Sequence, residues 1–162
     1  MHPDIYTVSL PYPVAHPERH DLRLAQRLFP LYIGADSELA SLSDYLYIAL
    51  RTETSHPELA NIFDAVARTE LQHFRLLGGL LRDLGANPAM HTRIDTARLS
   101  PDSSDSHALR EIFSRSLHAE QTAADNYRYL MEQTDDEAVC NLLYRIMLDE
   151  EAHIRLFTAL LN

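Results

Sequence analysis

The sequence predicts an all-α protein: a four-helix bundle with a long crossover between its second and third helices, preceded by an extended N-terminal arm. The first indication is composition, since 46% of the 162 residues are apolar and only four are glycine, while residues that favour strands are scattered singly. The second is that four segments carry apolar residues at alternating steps of three and four, the inward seam of a bundle helix. The third is the length of the connections, which is short, long and short.

Prolines mark the arm, which is assigned to residues 1–17 and contains Pro3, Pro11, Pro13 and Pro17. Proline disfavours helix both at its own position and at the preceding one. The composition fits either a loosely ordered tail or an arm that docks on the bundle or on a neighbouring subunit. The bundle is assigned to residues 18–162.

The first bundle helix is predicted from Glu18 to about Arg51, with a kink or restart near Phe29-Pro30. Counted from that interruption, its seam is Leu31, Ala35, Glu38, Leu42, Tyr45 and Ala49.

Capping patterns and glycine set the predicted bounds of the other helices. The second begins at the capping box Ser55-His56-Pro57-Glu58 and ends at Leu84, before a glycine. A long connection, Gly85 to Ser106, leads to the third, about His107 to Gln133. The last begins at a second capping box, Thr134-Asp135-Asp136-Glu137. Besides their ionisable residues, the seams of these three helices are, in order, Leu59, Phe63, Val66, Leu77, Leu80 and Leu84; Leu109, Phe113, Ser116, Ala123, Tyr127 and Leu130; and Val139, Leu143, Ile146, Phe157 and Leu160.

Each predicted seam is mainly apolar and carries ionisable side chains near its middle. Every helix carries one glutamate there, and the second and fourth add a histidine three residues later: Glu38, Glu70 with His73, Glu120, and Glu150 with His153. Residues three apart share a helix face, so each Glu-x-x-His pair places a carboxylate beside an imidazole. A single such residue is usually a satisfied core or rim residue. Six of them in one buried layer require a compensating charge.

Two divalent cations supply that compensation, because four carboxylates and two neutral imidazoles balance a charge of +4. One glutamate from each of two helices and Glu-x-x-His from each of the other two is the di-iron or di-manganese carboxylate arrangement of helix bundles. The sequence therefore predicts a site for two divalent metal ions, iron or manganese. The ligand types also suit zinc.

With these six residues the chain resembles the ferritin-like superfamily, in particular its bacterioferritin, rubrerythrin and manganese-catalase branches. The resemblance covers about residues 31 to 161. It implies that Glu70 and Glu150 bridge the two metal ions and that Glu38 and Glu120 are further ligands. It also implies one histidine ligand for each metal, His73 and His153.

The resemblance also indicates residues next to the ligands. Tyr45, seven residues after the first seam glutamate, matches a tyrosine common near such sites that donates to a ligand or to bound peroxide; a core tyrosine fits equally well. Asp149 is placed to accept the second ring N–H of His73, as in bacterioferritins. Thr69 stands where that family has a carboxylate, so the partner of His153 is left open.

The predicted function is a redox enzyme acting on hydrogen peroxide or dioxygen, with peroxidase or catalase activity preferred. Ala123 stands where rubrerythrin-type proteins have a further carboxylate, and the single cysteine, Cys140, cannot build their four-cysteine iron centre. A peroxide reductase would therefore need an external electron donor protein. One alternative is non-enzymatic iron binding and sequestration, or a metal-loaded component of an assembly. Another is a structural bundle that holds zinc or no metal.

Charge, hydropathy and the C-terminal sequence indicate partners, location and oligomeric state. The formal net charge of −10 argues against nucleic acid and anionic membrane as partners. Apolar runs are too short to span a bilayer and the N-terminus has no signal-peptide pattern, so a cytoplasmic location is expected. Cage-forming bacterioferritins have a fifth helix after the last ligand, whereas the sequence runs only from His153 to Asn162 at that end. A homodimer is therefore expected rather than a 24-subunit store.

Overall fold

The computed structural model describes residues 6–90 and 106–162, with side chains from residue 109 onward in the second range. Within these residues the regular elements are five α-helices: α1 Leu22–Ile33, α2 Glu38–Thr52, α3 Pro57–Asp83, α4 Ser106–Met131 and α5 Glu137–Leu161. Helix α2 packs along α3, and α4 along α5. These four form the bundle, and the long connection between α3 and α4 separates the two pairs. The predicted all-α four-helix bundle with a long crossover is confirmed. Residues 91–105 of that connection lie outside the described part of the chain.

The interruption predicted within the first bundle helix lies later in the chain than expected and separates α1 from α2. Helix α1 continues through Pro30 to Ile33, so the restart predicted near Phe29-Pro30 is found a few residues later, between Ile33 and Glu38. A proline in a helix loses one backbone hydrogen bond, and here the helix ends within a turn of it. Gly34 takes an extended conformation after α1, and the Ser37 hydroxyl then accepts from the Ala40 N–H at 3.2 Å to start α2.

Several predicted helix ends are shifted for identifiable reasons. Helix α1 begins at Leu22 rather than Glu18, because the Asp21 carboxylate accepts the N–H groups of Arg23 and Leu24. Helix α3 ends at Asp83, one residue early, and Gly85 follows with φ of +89°, the left-handed conformation that commonly ends a helix.

Neither predicted capping box forms. At the start of α3 the N-cap is His56, which makes no side-chain capping bond, and Ser55 therefore lies one position outside the helix. Pro57 does occupy the first turn, as expected. At the start of α5 the Asp136 carboxylate accepts from the Val139 N–H at 3.1 Å. A carboxylate beside the helix N-terminus also interacts favourably with the helix dipole.

Two apolar clusters fill the bundle, one on each side of the layer of ionisable residues. One joins α1 to the adjoining parts of α3, α4 and α5 through residues such as Leu28, Leu77, Leu80, Leu143 and Ile146. The other is aromatic and joins α2, α3 and α5 through Tyr45, Phe63, Val66 and Phe157. The predicted seams supply most of both clusters. Ala35 is the exception: it is exposed in the turn between α1 and α2.

The described part of the arm, from Tyr6 onward, has no helix or strand before α1 and docks on the bundle. Tyr12 and Ala15 pack against the first apolar cluster, and Tyr6 packs against the second. Of the two alternatives that the composition left open, the structure shows docking. In the described residues, no helix is both long and apolar enough to cross a membrane.

Candidate metal centre

The six seam residues meet in the middle of the bundle. Their side chains form two groups, and within each group one possible ligand atom per residue lies within 4.8 Å of those of the other three. The first group is Glu38, Glu70, His73 and Glu150, and the second is Glu70, Glu120, Glu150 and His153. The groups share Glu70 and Glu150. All six side chains are buried, and the most exposed, Glu38, retains 5% of its accessible surface.

The two ends of the layer are positioned differently. Glu120 lies within the long helix α4. Glu38, predicted near the middle of its seam, is instead the first residue of α2. The break at Gly34 and the cap at Ser37 therefore place the Glu38 carboxylate in the first turn, where the helix dipole favours negative charge.

One candidate metal position is outlined by the ring of His73. Its Nδ1 lies 3.0 Å from Glu150 Oε1, 3.4 Å from Glu70 Oε2 and 3.5 Å from Glu38 Oε2. The second position is outlined by His153, whose Nδ1 lies 3.1 Å from Glu70 Oε1, 3.3 Å from Glu120 Oε2 and 3.4 Å from Glu150 Oε2. Glu70 and Glu150 thus turn one oxygen to each position, which is the arrangement of a bridging carboxylate.

Unsatisfied polar atoms test whether this cluster fits metal ions. Among the described residues, the buried side-chain atoms without a hydrogen-bond partner are Glu70 Oε1, His73 Nδ1, both Glu150 oxygens and Arg145 Nη1. The arginine nitrogen forms an ion pair with Asp149 at 2.6 Å. The other four atoms all belong to the cluster. Buried polar groups are normally satisfied, so these atoms fit a cation bound among them.

The pKa values divide the carboxylates into two kinds. Burial raises the pKa of Glu38 and Glu120 well above the usual range, and neighbouring carboxylates add to this effect. Burial would also raise the pKa of Glu70 and Glu150, but the charges and hydrogen bonds of the two imidazoles lower it. Burial would lower the pKa of both imidazoles, yet the facing carboxylates raise it well above the ordinary value. These directions favour a metal-free cluster in which protons on the two outer glutamates and the two imidazoles balance the charge of Glu70 and Glu150.

Two buried tyrosines connect the outer glutamates across the bundle. Tyr45 of α2 donates its hydroxyl to Glu120 of α4, and Tyr127 of α4 donates to Glu38 of α2. Burial raises the pKa of both phenols well above the ordinary value, so both stay protonated donors. Tyr45 was predicted near the site. The seam pattern predicts Tyr127 only as a core residue, although the repeated spacing Glu-x6-Tyr indicates its place beside the site.

The two histidines use different acceptors for their outer ring nitrogens. His73 Nε2 lies 3.0 Å from Asp149 Oδ2, the partner that the sequence predicted. His153 Nε2 lies 2.8 Å from the backbone oxygen of Tyr6 in the arm. The Thr69 hydroxyl donates to that same oxygen at 3.2 Å. The hydrogen-bond acceptor of His153, which the sequence left open, is thus a backbone carbonyl, and a pattern of side chains cannot predict a backbone acceptor.

A narrow opening reaches the cluster between α2 and α4. A cavity of about 10 Å³ touches Glu38, Glu70 and Glu150 and is walled by small side chains such as Ala119 and Ala123. This is about the volume that one water molecule needs. It adjoins a groove of about 330 Å³ between the same two helices. The absence of a carboxylate at position 123 leaves this opening clear.

Comparison with known families agrees with the geometry. Residues 36–162 match the family model described as Ferritin-like domain. The chain belongs to this family. Comparison with curated protein sequences finds no match. The arm and α1 precede the matched residues.

Solved structures share the fold over nearly the whole chain. One is wild-type KatB, a manganese catalase from Anabaena, with a TM-score of 0.76 and 20% identity. A second structure of KatB, from Anabaena PCC7120, has a TM-score of 0.71 and 18% identity. Each alignment covers 94% of this chain and 77% of the other. At this identity the likeness shows the ferritin-like fold.

Proposed function

We propose that this protein is a redox enzyme with a dinuclear iron or manganese site that acts on hydrogen peroxide, with catalase-like turnover preferred over peroxidase activity. The observation that carries the proposal is the pair of buried ligand sets that share two glutamates. The fold shared with a manganese catalase supports the choice of peroxide. In catalase turnover, two molecules of hydrogen peroxide yield two of water and one of dioxygen, so no external reductant is consumed.

The candidate ligands have distinct tasks. Glu70 and Glu150 would bind both ions, and His73 and His153 would each bind one through Nδ1, with Glu38 and Glu120 at the outer sides. Bound there, the ions would supply the redox chemistry by exchanging electrons with peroxide. The protein holds their positions in a charge-balanced apolar core.

The surrounding residues orient the ligands. Tyr45 and Tyr127 hold one oxygen of each outer glutamate by hydrogen bonding, which leaves the other oxygen free to bind. Asp149 accepts the Nε2–H of His73, so that Nδ1 keeps its lone pair. The histidine tautomer follows from these partners.

Access favours a small substrate. The cavity beside Glu38 holds about one water-sized molecule, and hydrogen peroxide or dioxygen is the class of reactant that fits with little rearrangement. Ala119 and Ala123 wall this passage, and we propose that they set its width.

Metal analysis followed by peroxide addition tests the function. The protein is expressed in medium containing both iron and manganese, its metal content is measured, and oxygen release is followed. Bound manganese with oxygen release supports a catalase. Bound iron that peroxide oxidises without oxygen release supports the peroxidase form and requires an electron donor protein. Uptake of many irons per chain would instead indicate sequestration, and a preference for zinc without turnover would contradict the redox proposal.

A further inference from the structure

The N-terminal arm passes over the outer side of the candidate metal centre. Its Tyr6 carbonyl contacts the ring of His153, while Val8 N–H donates to Asp149 Oδ1 at 2.7 Å and the Tyr12 hydroxyl donates to Asp149 Oδ2 at 2.6 Å. The segment from Tyr6 to Tyr12 therefore supplies the hydrogen-bond partner of His153 and contacts the partner of His73, although its residues lie more than 130 positions from the α5 residues that they contact.

At the His153 end, the arm provides what the bundle lacks. Asp149 immediately precedes Glu150 and accepts from the histidine of the other Glu-x-x-His pair. The equivalent position before Glu70 is Thr69, which has no carboxylate. The Tyr6 oxygen fills that role and is itself held by the Thr69 hydroxyl at 3.2 Å.

Arg145 fastens the arm to the bundle. Its guanidinium donates to Leu10 O at 2.7 Å, to Val8 O at 2.8 Å and to the Thr7 hydroxyl at 3.2 Å. It also lies 4.2 Å from the centre of the Tyr12 ring and pairs with Asp149 at 2.6 Å. Only 4% of this arginine is exposed. A buried guanidinium directed at three acceptors of one segment fixes the path of that segment.

We propose that the arm is a working part of the metal centre, in which the Tyr6 carbonyl orients His153 and fixes its ring tautomer, with Thr69 and Arg145 as positioning residues that hold this carbonyl in place. The inference rests on the dinuclear site proposed above. It makes the two metal positions unequal, because one histidine is backed by a carboxylate and the other by a neutral carbonyl. A carboxylate partner makes the ring a more basic ligand.

The experiment observes the histidine ring protons directly. The full chain is loaded with Zn²⁺, which is diamagnetic, and the exchange of the ring N–H protons with solvent is measured by NMR on protein with ¹⁵N-labelled histidine. Two slowly exchanging Nε2–H signals are expected, one from His73 and one from His153. In Thr69→Val the His153 signal should shift and exchange about tenfold faster, while the His73 signal stays unchanged.

Arg145→Met provides the second variant. It should release the arm, seen as faster backbone amide exchange at Val8, and also speed exchange at His153. Arg145→Met also removes the ion pair with Asp149, so this variant affects more than the arm. Thr69→Val is therefore the decisive variant, including the case in which Arg145→Met does not fold. Arg128→Met is the matched control, since Arg128 pairs with Asp125 and Glu151 on the surface and not with the arm.

A gain-of-function variant completes the test. Thr69→Asp places a carboxylate before Glu70, as Asp149 stands before Glu150, and should make the His153 ring proton independent of Arg145. The proposal is overturned if Thr69→Val leaves the His153 signal unchanged in protein that binds two Zn²⁺, and the dinuclear site then still stands. If the wild-type chain binds fewer than two Zn²⁺, the proposed function fails and the orienting role with it.

Discussion

The helix pairs α2–α3 and α4–α5 are two halves with the same plan around the candidate metal centre. Each half carries a glutamate followed seven residues later by a tyrosine, and then a Glu-x-x-His pair on its second helix. Each tyrosine donates to the glutamate of the opposite half. Each Glu-x-x-His glutamate turns one oxygen to each metal position. One local pattern, used twice, therefore brings six buried ionisable side chains into a single cluster.

The halves differ outside the ligands. The histidine of the first half is backed by Asp149, a side chain of the opposite half. The histidine of the second half is backed by the Tyr6 carbonyl, which belongs to neither half. Outer partners of this kind influence how strongly a histidine binds metal, so any functional asymmetry between the halves is expected to originate here.

Removing a bridging glutamate should have the largest effect, because it weakens both metal positions together. Glu150→Gln is expected to reduce binding from two ions per chain to nearly none at stoichiometric metal, a loss of more than about 100-fold in affinity. Glu120→Gln should weaken mainly one position. Metal content after gel filtration distinguishes the two outcomes. Glu151→Gln, the adjacent residue that pairs with Arg128, is the control. Equal loss in both variants would contradict the bridging assignment.

Acidification should weaken metal binding in both halves. Each half contains one histidine and one outer glutamate whose pKa values are raised in the metal-free protein. These groups carry protons that metal must displace, so affinity rises with pH and falls as pH decreases. With two protons per ion, the change is up to about 100-fold per pH unit.

Proton release measured in weak buffer during metal titration checks this pH dependence. A release of fewer than one proton per ion would show that the raised pKa values do not describe the metal-free cluster.

Asp149→Asn should weaken the metal position of His73 by about 10–100-fold. The carboxylate is replaced by an amide of similar shape, so packing is retained while the strong acceptor is lost. Titration with Mn²⁺, followed by electron paramagnetic resonance, measures the two positions in turn. Thr69→Val should have a smaller effect on the other position, since the Tyr6 carbonyl remains. Equal weakening by both variants would remove the proposed difference between the halves.

The tyrosine variants should have the smallest effects and should match each other. Tyr45→Phe and Tyr127→Phe each remove a buried hydrogen bond to a glutamate, which should cost about 1–3 kcal/mol in the free energy of unfolding. Urea denaturation of the metal-free protein measures this cost, with Tyr144→Phe on the exposed surface of α5 as the control. A large difference between the unfolding free energies of the two variants would show that the two halves are less alike in structure than in sequence pattern.

Much of the fold and most of the candidate site follow from local sequence. The steps of three and four within each helix are set by helix geometry, and they therefore predict which residues face inward and that six ionisable side chains converge. The tyrosine at position 127 was within reach of the same reasoning, because the spacing from Glu120 repeats that from Glu38 to Tyr45. Whether the converging residues bind metal remains a prediction for both halves.

Other features depend on contacts between distant segments. The helix break at Gly34, which brings Glu38 to the start of α2, depends on how α1 covers the bundle end. The width of the opening between α2 and α4 depends on how the two pairs pack. The acceptor for His153 is a backbone oxygen, and every residue has one. Periodicity selects side chains by face, but only the path of the folded chain selects which carbonyl reaches a given ring.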